Sequence, residues 1–321
     1  MSKRLLAGWK VRLGLAVFAF FCVLALAGPW VTDHLLHQSP TALDLNAVSS
    51  PPSAKHLLGT TASGHDVLAQ VITGARESMI AGLVASVLGT FIAVVIGVTA
   101  GLAGGIVDSA LTGLTNVFLT MPSFALIFVI SGYTQGSGPV AVGVIIGAFG
   151  WAGGTRALRS QTLSLRSRDF VHAMRMLGES RWRLAMVEVL PHLTGWISAM
   201  FLTGFIGGVL AESGLAFLGV SSASTVSWGV MISEAQQGNA LIGGMWWWFA
   251  PPGLCIALLG ASVALINFAV DEISDPRLRD ANRLLVKRAG DARRAKEREQ
   301  EEERGQERDQ DAGRAQEVSH A

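Results

Sequence analysis

Met79-Ile-Ala-Gly-Leu-Val-Ala-Ser-Val-Leu-Gly-Thr-Phe-Ile-Ala-Val-Val-Ile-Gly-Val-Thr-Ala-Gly-Leu-Ala103 carries no charged side chain from end to end. A helix that crosses a bilayer needs about 20 mostly apolar residues. This stretch supplies them on every face rather than along one stripe, as expected where lipid or other helices surround it. It sets the reading of the whole chain. No Lys or Arg occurs between Arg76 and Arg156, and none between Arg183 and Arg277. Half of all residues are apolar and only 15% are charged, well under the roughly one quarter of soluble domains. The fold class expected is all-α, a polytopic membrane protein with six transmembrane helices.

Further spans are expected at about 11–31, 114–132, 137–155, 193–211 and 244–270. Glycine, at 37 residues, recurs at four-residue spacing in Gly97/Gly101, Gly143/Gly147 and Gly204/Gly208. Such pairs let helix backbones approach closely. Pro251-Pro252 is expected to bend the last span near its outer end, and Trp246-Trp247-Trp248 to sit in an interfacial aromatic belt. Cys22 and Cys255 lie in apolar runs without ligand spacing, so free thiols are expected. The first span follows Lys3 and Arg4 and ends Leu24-Ala-Leu-Ala27-Gly, in the manner of a signal peptide. Its apolar run is about 20 residues, longer than the 7–15 of a signal core, so retention is expected.

Basic residues orient membrane proteins toward the cytoplasm. Lys3, Arg4, Lys10 and Arg12 lie before or at the start of the first span. Six spans place them on the same side as Arg156, Arg159, Arg166, Arg168, Arg175, Arg181 and Arg183. The opposite side carries only Lys55 and Arg76 in the 32–78 loop, and no basic residue in 212–243. Both termini are therefore expected in the cytoplasm. The organisation expected is a cytoplasmic segment 1–10, a first helix 11–31, an outer loop 32–78, and a core 79–275 with a cytoplasmic loop 156–192. A charged tail 276–321 follows, too poor in apolar residues to bury a core and expected to be disordered or a solvated helix. The net charge of +1 averages an uncharged body and charged ends, and gives no reason to expect nucleic acid as a partner.

Within the cytoplasmic loop lies Asp169-Phe-Val-His-Ala-Met-Arg-Met-Leu-Gly-Glu-Ser-Arg-Trp-Arg-Leu-Ala-Met-Val-Glu-Val-Leu-Pro191. Phe170, Ala173, Met174 and Leu177 share one face of a short helix. Gly178 stops it, Ser180 caps a second whose apolar face is Trp182, Ala185, Met186 and Val189, and Pro191 ends that one. The segment reads as an elbow carrying Arg175, Arg181 and Arg183 toward water, either as a docking element or as a connector on lipid headgroups.

This elbow resembles the cytoplasmic "EAA" loop of ABC importer permeases. Asp169-Phe170-Val171, Ala173, Gly178 and Leu190-Pro191 match that pattern, while His172 stands in place of its Glu and Met174 in place of its second Ala. Leu58-Gly-Thr-Thr-Ala-Ser-Gly64-His65-Asp66, followed by Gly74-Ala-Arg76, resembles the outer-loop signature of the dipeptide/oligopeptide/nickel permeases, with departures at Thr61 and His65. Gly104-Gly105 with Asp108, Pro122, Glu212-Ser-Gly-Leu-Ala-Phe-Leu218-Gly219, Ser227-Trp228-Gly229 and Asp275-Pro276-Arg277 resemble the same family in the same order, with Asn116 where an Asp is usual. The matches span about residues 15–280 and point to a C-type permease subunit with the type I importer fold.

The resemblance implies a transport subunit that forms a path with a second permease. Two ATP-binding subunits would dock on the elbow, at His172, Ala173, Arg175, Leu177, Gly178, Ser180, Arg181, Arg183 and Pro191. An extracytoplasmic substrate-binding protein would deliver di- or oligopeptides, nickel or another small solute, with Gly59, Thr60, Gly64, Asp66, Gly74 and Arg76 as the outer-loop contacts. On the residues alone, those glycines supply turns and Asp66 caps a helix equally well. Glu212 sits at a span end, where snorkelling to the interface is expected. No lysine follows a glycine, so a phosphate-cradling loop is missing and ATP hydrolysis is expected elsewhere. No cofactor is expected in this chain. His34, His37, His56 and His65 share the outer loop without zinc-like spacing, so no metal site is expected. Ser63 and Ser213 lack a histidine on a neighbouring span, which argues against a membrane protease. An autonomous channel or secondary transporter would need paired ionisable residues at midplane or broken helices in both halves, and the spans read as neither.

Overall fold

The computed structural model describes residues 9–36, 38–134, 136, 138–220 and 225–274. Lys3 and Arg4, His37, Asp275-Pro276-Arg277 and the tail 276–321 lie outside these residues. The chain divides into two compact units, 1–271 and 272–321; of the second, only the last residues of the final helix are described.

The described residues form helices and loops, with one isolated antiparallel bridge between Thr60 and Asp66. Helix α1 (Trp9–Val31) continues into a π-helical turn, Thr32–Leu36. Helix α2 (Val67–Ala103) follows the outer loop. The bent pairs α3 (Gly105–Thr120) with α4 (Ser123–Tyr133), and α5 (Gly138–Gly150) with α6 (Ala152–Arg166), come next. The elbow begins with α7 (Asp169–Met176) and leads into α8 (Thr194–Phe217). Helices α9 (Trp228–Gln237) and α10 (Trp246–Ser274) complete the core. Among the described residues, four helices are long and apolar enough to cross a membrane, or up to six if each bent pair is one span.

At 37 residues and about 1.5 Å per residue, α2 is roughly 55 Å long, well over the ~30 Å of a hydrocarbon core. Its span was expected from Met79; the helix begins twelve residues earlier because Asp66 caps it, accepting from the Ala69 N–H at 2.8 Å. The charged pair Arg76 and Glu77 hides this extension from an apolar-run reading. α2 is also the hub, packed against α1, α5, α6, α8 and α9.

The contacts on α2 are made by small residues. A Cβ on Gly143 would lie 2.7 Å from the Ala81 carbonyl, and one on Gly147 2.8 Å from that of Ala85. Gly97 and Gly101 sit as tightly against Thr155 and Thr162 of α6, and Gly208 lies against Gly82. Gly204 has slightly more room, against Ser86. These approaches let backbones meet without a side chain between them, which is how spans associate in lipid.

Two expectations about the spans are corrected. The third was expected as continuous over 114–132, but it breaks at Met121-Pro122 by 79°, because Pro122 lacks the N–H to continue the ladder. The fourth bends by 47° at Trp151, where a run of small residues follows. In the last span Pro251-Pro252 lies within one helix, near its start, where little of the hydrogen-bond ladder is lost.

The tryptophan triplet also divides. Trp246 is exposed, Trp248 is buried, and Trp247 donates its Nε1–H to the Thr60 carbonyl at 3.2 Å, so two of the three pack inward instead of forming a belt.

Candidate coupling elbow and outer cap

The elbow is built by two cap motifs in succession. At the end of α7, Gly178 adopts φ +81°, its N–H reaches the Arg175 carbonyl at 3.1 Å, and the Glu179 N–H reaches that of Met174 at 3.2 Å. This is a Schellman ending with glycine in the left-handed position. Two residues on, the Ser180 side chain accepts from the Arg183 N–H at 3.2 Å and starts the next helical run. The expected stop and restart are both present.

Pro191 does not end that second run. The chain passes from Arg181–Arg183 through a π-helical turn, Leu184–Val189, and a 3-10 turn, Leu190–Leu193, directly into α8. The widened turn places Pro191 at the start of the tighter one, where its missing N–H costs little. His192 bonds the Glu188 carbonyl at 2.7 Å through Nδ1 and stacks on Phe170, which ties the two limbs together.

The apolar faces read from periodicity are seated only in part. Val171, Leu184, Val189 and Leu193 are buried against Ala93, Val98 and Leu102 of α2 and Leu158 of α6, with Phe170, Met174 and Ala185 partly so. Leu177 is 77% exposed, Met176 88% and Trp182 71%. His172, Ala173, Arg175, Gly178, Ser180, Arg181, Arg183 and Pro191 are exposed as well. The elbow has apolar residues on both faces, so periodicity could not choose between them. One face is seated on the helix bundle and the other looks away from it.

The bundle end above the elbow is fastened by charge. Arg159 of α6 grips Asp108 of α3 with two bonds, at 2.6 and 2.7 Å, and Arg156 donates to the Asn116 side chain at 2.9 Å. Arg166 donates to the Gly101 carbonyl at 3.3 Å. The family-like turn at Gly104-Gly105 therefore serves as the seat for arginines from α6.

At the other end, the outer loop folds into a cap. Of the six residues expected to contact a partner there, Gly59, Thr60, Gly64, Asp66 and Gly74 are buried and only Arg76 is exposed. Gly59 takes φ +71° with Ser50 and Trp247 where a side chain would go. Thr60 bonds Ala47 and receives the Ser50 N–H at 2.9 Å. Asp66 accepts from Ala69 and pairs with His56 Nδ1 at 2.8 Å. These residues shape the cap from within. Lys55 bonds Asp44, and this bond, with the Asn46 N–H, holds the Asp44 carboxyl below the ordinary carboxylate range.

Glu212 was expected to snorkel; instead it is buried inside the bundle. Its carboxylate accepts from Ser227 Oγ at 2.6 Å and Ser78 Oγ at 3.2 Å, and Ser78 Oγ in turn accepts the Trp228 N–H at 3.2 Å. α2, α8 and the start of α9 thus meet at one carboxylate. Trp228 is fully buried beside it, stacked edge-on with Phe21 and bonded to the Val71 carbonyl. Sequence gave Glu212 and Ser227-Trp228 as separate motifs, and nothing in their spacing joins them. Between α2, α4, α5 and α8 lies a cleft of about 320 Å3 whose lining includes Ser86, Thr90, Ser123 and Phe124 and no charged residue. Among the described residues no three His, Cys, Asp or Glu side chains are placed to hold a metal.

Broken and unbroken apolar helices joined by glycine contacts define an all-α, multi-pass membrane protein. Residues 93–280 match the family described as "Binding-protein-dependent transport system inner membrane component", and the chain belongs to that family. It is 33% identical over 263 residues to the oligopeptide transport system permease protein OppC of Mycobacterium tuberculosis, covering 81% of this chain and 89% of that protein. It is 30% identical over 268 residues to the dipeptide transport system permease protein DppC of Bacillus subtilis, covering 83% and 81%. It is also 32% identical over 280 residues to the nickel transport system permease protein NikC of Escherichia coli, covering 84% and 95%.

Proposed function

We propose that this chain is one permease subunit of an ATP-driven importer of di- or oligopeptides in the cell membrane, with both termini in the cytoplasm. With a second permease it forms the translocation path, of which the uncharged cleft is one wall. Two separate ATP-binding subunits hydrolyse ATP and act on the elbow 169–191, while an extracytoplasmic substrate-binding protein delivers cargo to the outer cap. The chain itself is non-catalytic and carries no cofactor. The observation that carries this reading is the elbow: seated on α2 and α6 by one apolar face, it turns a second, exposed one away from the bundle. The basic residues that surround it support a cytoplasmic location.

Peptide cargo follows from the relatives named for oligopeptides and dipeptides; the relative named for nickel makes nickel the second reading. Reconstitution of the full complex in vesicles, with labelled dipeptide, longer peptide and nickel offered in turn, tests both. ATP-dependent peptide uptake is expected. Uptake by this chain alone without ATP sinks the importer reading, and uptake of nickel but no peptide sinks the cargo.

A further inference from the structure

The exposed side of the elbow has a chemical pattern that specifies its partner more narrowly than docking alone. Met176, Leu177 and Trp182 are exposed around the Gly178 turn. Around them lie His172, Arg175, Arg181 and Arg183, all exposed. Arg183 is paired with Glu179 at 3.2 Å, whereas Arg175 and Arg181 form no ion pair among the described residues. Two unpaired guanidinium groups therefore flank an apolar tip, and Arg175 lies in the last turn of α7, where the helix dipole already favours a cation.

A lipid surface fits this pattern poorly. The side chains that face the bundle are Val171, Leu184, Val189 and Leu193, and they are already covered by α2 and α6. The exposed set lies on the other side of the same turns from that covered face. An apolar tip ringed by cations is instead the complement of a protein cleft with an apolar floor and an acidic rim.

We infer that the ATP-binding subunit which receives this elbow presents such a cleft, in which Leu177 and Trp182 fill the floor and rim carboxylates pair with Arg175 and Arg181. This rests on the docking role proposed above and adds that charge helps select which ATP-binding subunit this permease accepts. Rim charges of this kind chiefly set association rate and salt dependence, while the buried tip sets residence time.

The test measures binding of the ATP-binding subunits to the full-length chain, paired with its second permease in lipid nanodiscs of neutral or anionic composition. Three forms are compared: the natural chain, Arg175→Glu with Arg181→Glu, and Leu177→Asp. All three sites are exposed, so each variant is expected to fold as the natural chain does. The double reversal is expected to weaken binding on the order of tenfold at low salt, with the difference fading toward 1 M salt, where the screening length falls to about 3 Å. Leu177→Asp is expected to weaken binding at every salt concentration. If the reversal binds normally while Leu177→Asp does not, the acidic rim is wrong and the docking role stands. If both bind normally, the docking role falls as well. If the reversal matters only in anionic nanodiscs, the arginines serve lipid headgroups and the inference is overturned.

Discussion

Gly178 offers a perturbation whose cost can be separated from packing. Its φ of +81° is a left-handed conformation, yet beyond its immediate chain neighbours no atom of this chain's described residues lies within 4 Å of the position a Cβ would take. A substitution there meets open space within this chain, so its cost to the subunit's own fold is backbone strain alone. Holding an L-residue left-handed costs about 1–2 kcal/mol, enough to shift a local equilibrium roughly 5- to 30-fold. Asn tolerates this conformation better than other residues, and a β-branched residue worse. Because Val171, Leu184 and Val189 stay buried, the subunit is expected to assemble in every variant. ATP-driven uptake in vesicles should then fall in the order Gly178, Gly178→Asn, Gly178→Ala, Gly178→Val, with ATP hydrolysis increasingly detached from uptake. An order that follows side-chain volume, with Asn as harmful as Val, would refute the strain argument and place the cost in the fit against the docked ATP-binding subunit. Equal uptake by all four would show that the elbow's turn does not transmit force.

Three further outcomes are expected. Glu212→Ala removes the acceptor of Ser78 and Ser227, costing about 1–3 kcal/mol per orphaned group, so thermal unfolding should start well below that of Glu212→Gln; equal melting of the two would discount the hydrogen bonds. Gly147→Leu forces a side chain into the Ala85 carbonyl and should cost about 1–3 kcal/mol or abolish folded protein, whereas Gly153→Leu, with nothing nearby, should fold normally. Lys55 holds the Asp44 carboxyl below its unfolded value, so the stability it adds is complete above about pH 4 and lost as pH falls through the folded value. Hydrogen exchange of the cap, corrected for intrinsic rates, should therefore stay constant from pH 7 to 5; loss of protection in that window contradicts the assignment.

The spans were legible because uncharged runs have few alternatives in a chain of this composition, and the paired glycines marked real contacts. What the sequence concealed was set by partners far along the chain. Pro122 signals a break only once the run 114–132 is not assumed to be one helix. The outer turns of α2 carry Arg76 and Glu77, and they are helical because Asp66 caps them and the cap and α9 cover them. Glu212 reads as a snorkelling carboxylate until Ser78 and Ser227 are seen to converge on it. In the elbow, the stop at Gly178 and the cap at Ser180 were local and therefore readable. Which apolar residues are seated depended on α2 and α6: Val189 is buried and Phe170, Met174 and Ala185 partly so, while Leu177 and Trp182, which share those faces by periodicity, are left exposed.

Cross-linking tests most directly whether the elbow meets an ATP-binding subunit. With Cys22 and Cys255 replaced by serine, Leu177→Cys in the assembled, transport-active complex would carry a short thiol-reactive photo-cross-linker. The account predicts a covalent adduct with an ATP-binding subunit, absent when the same probe is placed at Val107, an exposed position on α3. Labelled Leu177→Cys in an active complex that cross-links only to lipid, or to nothing, would contradict it.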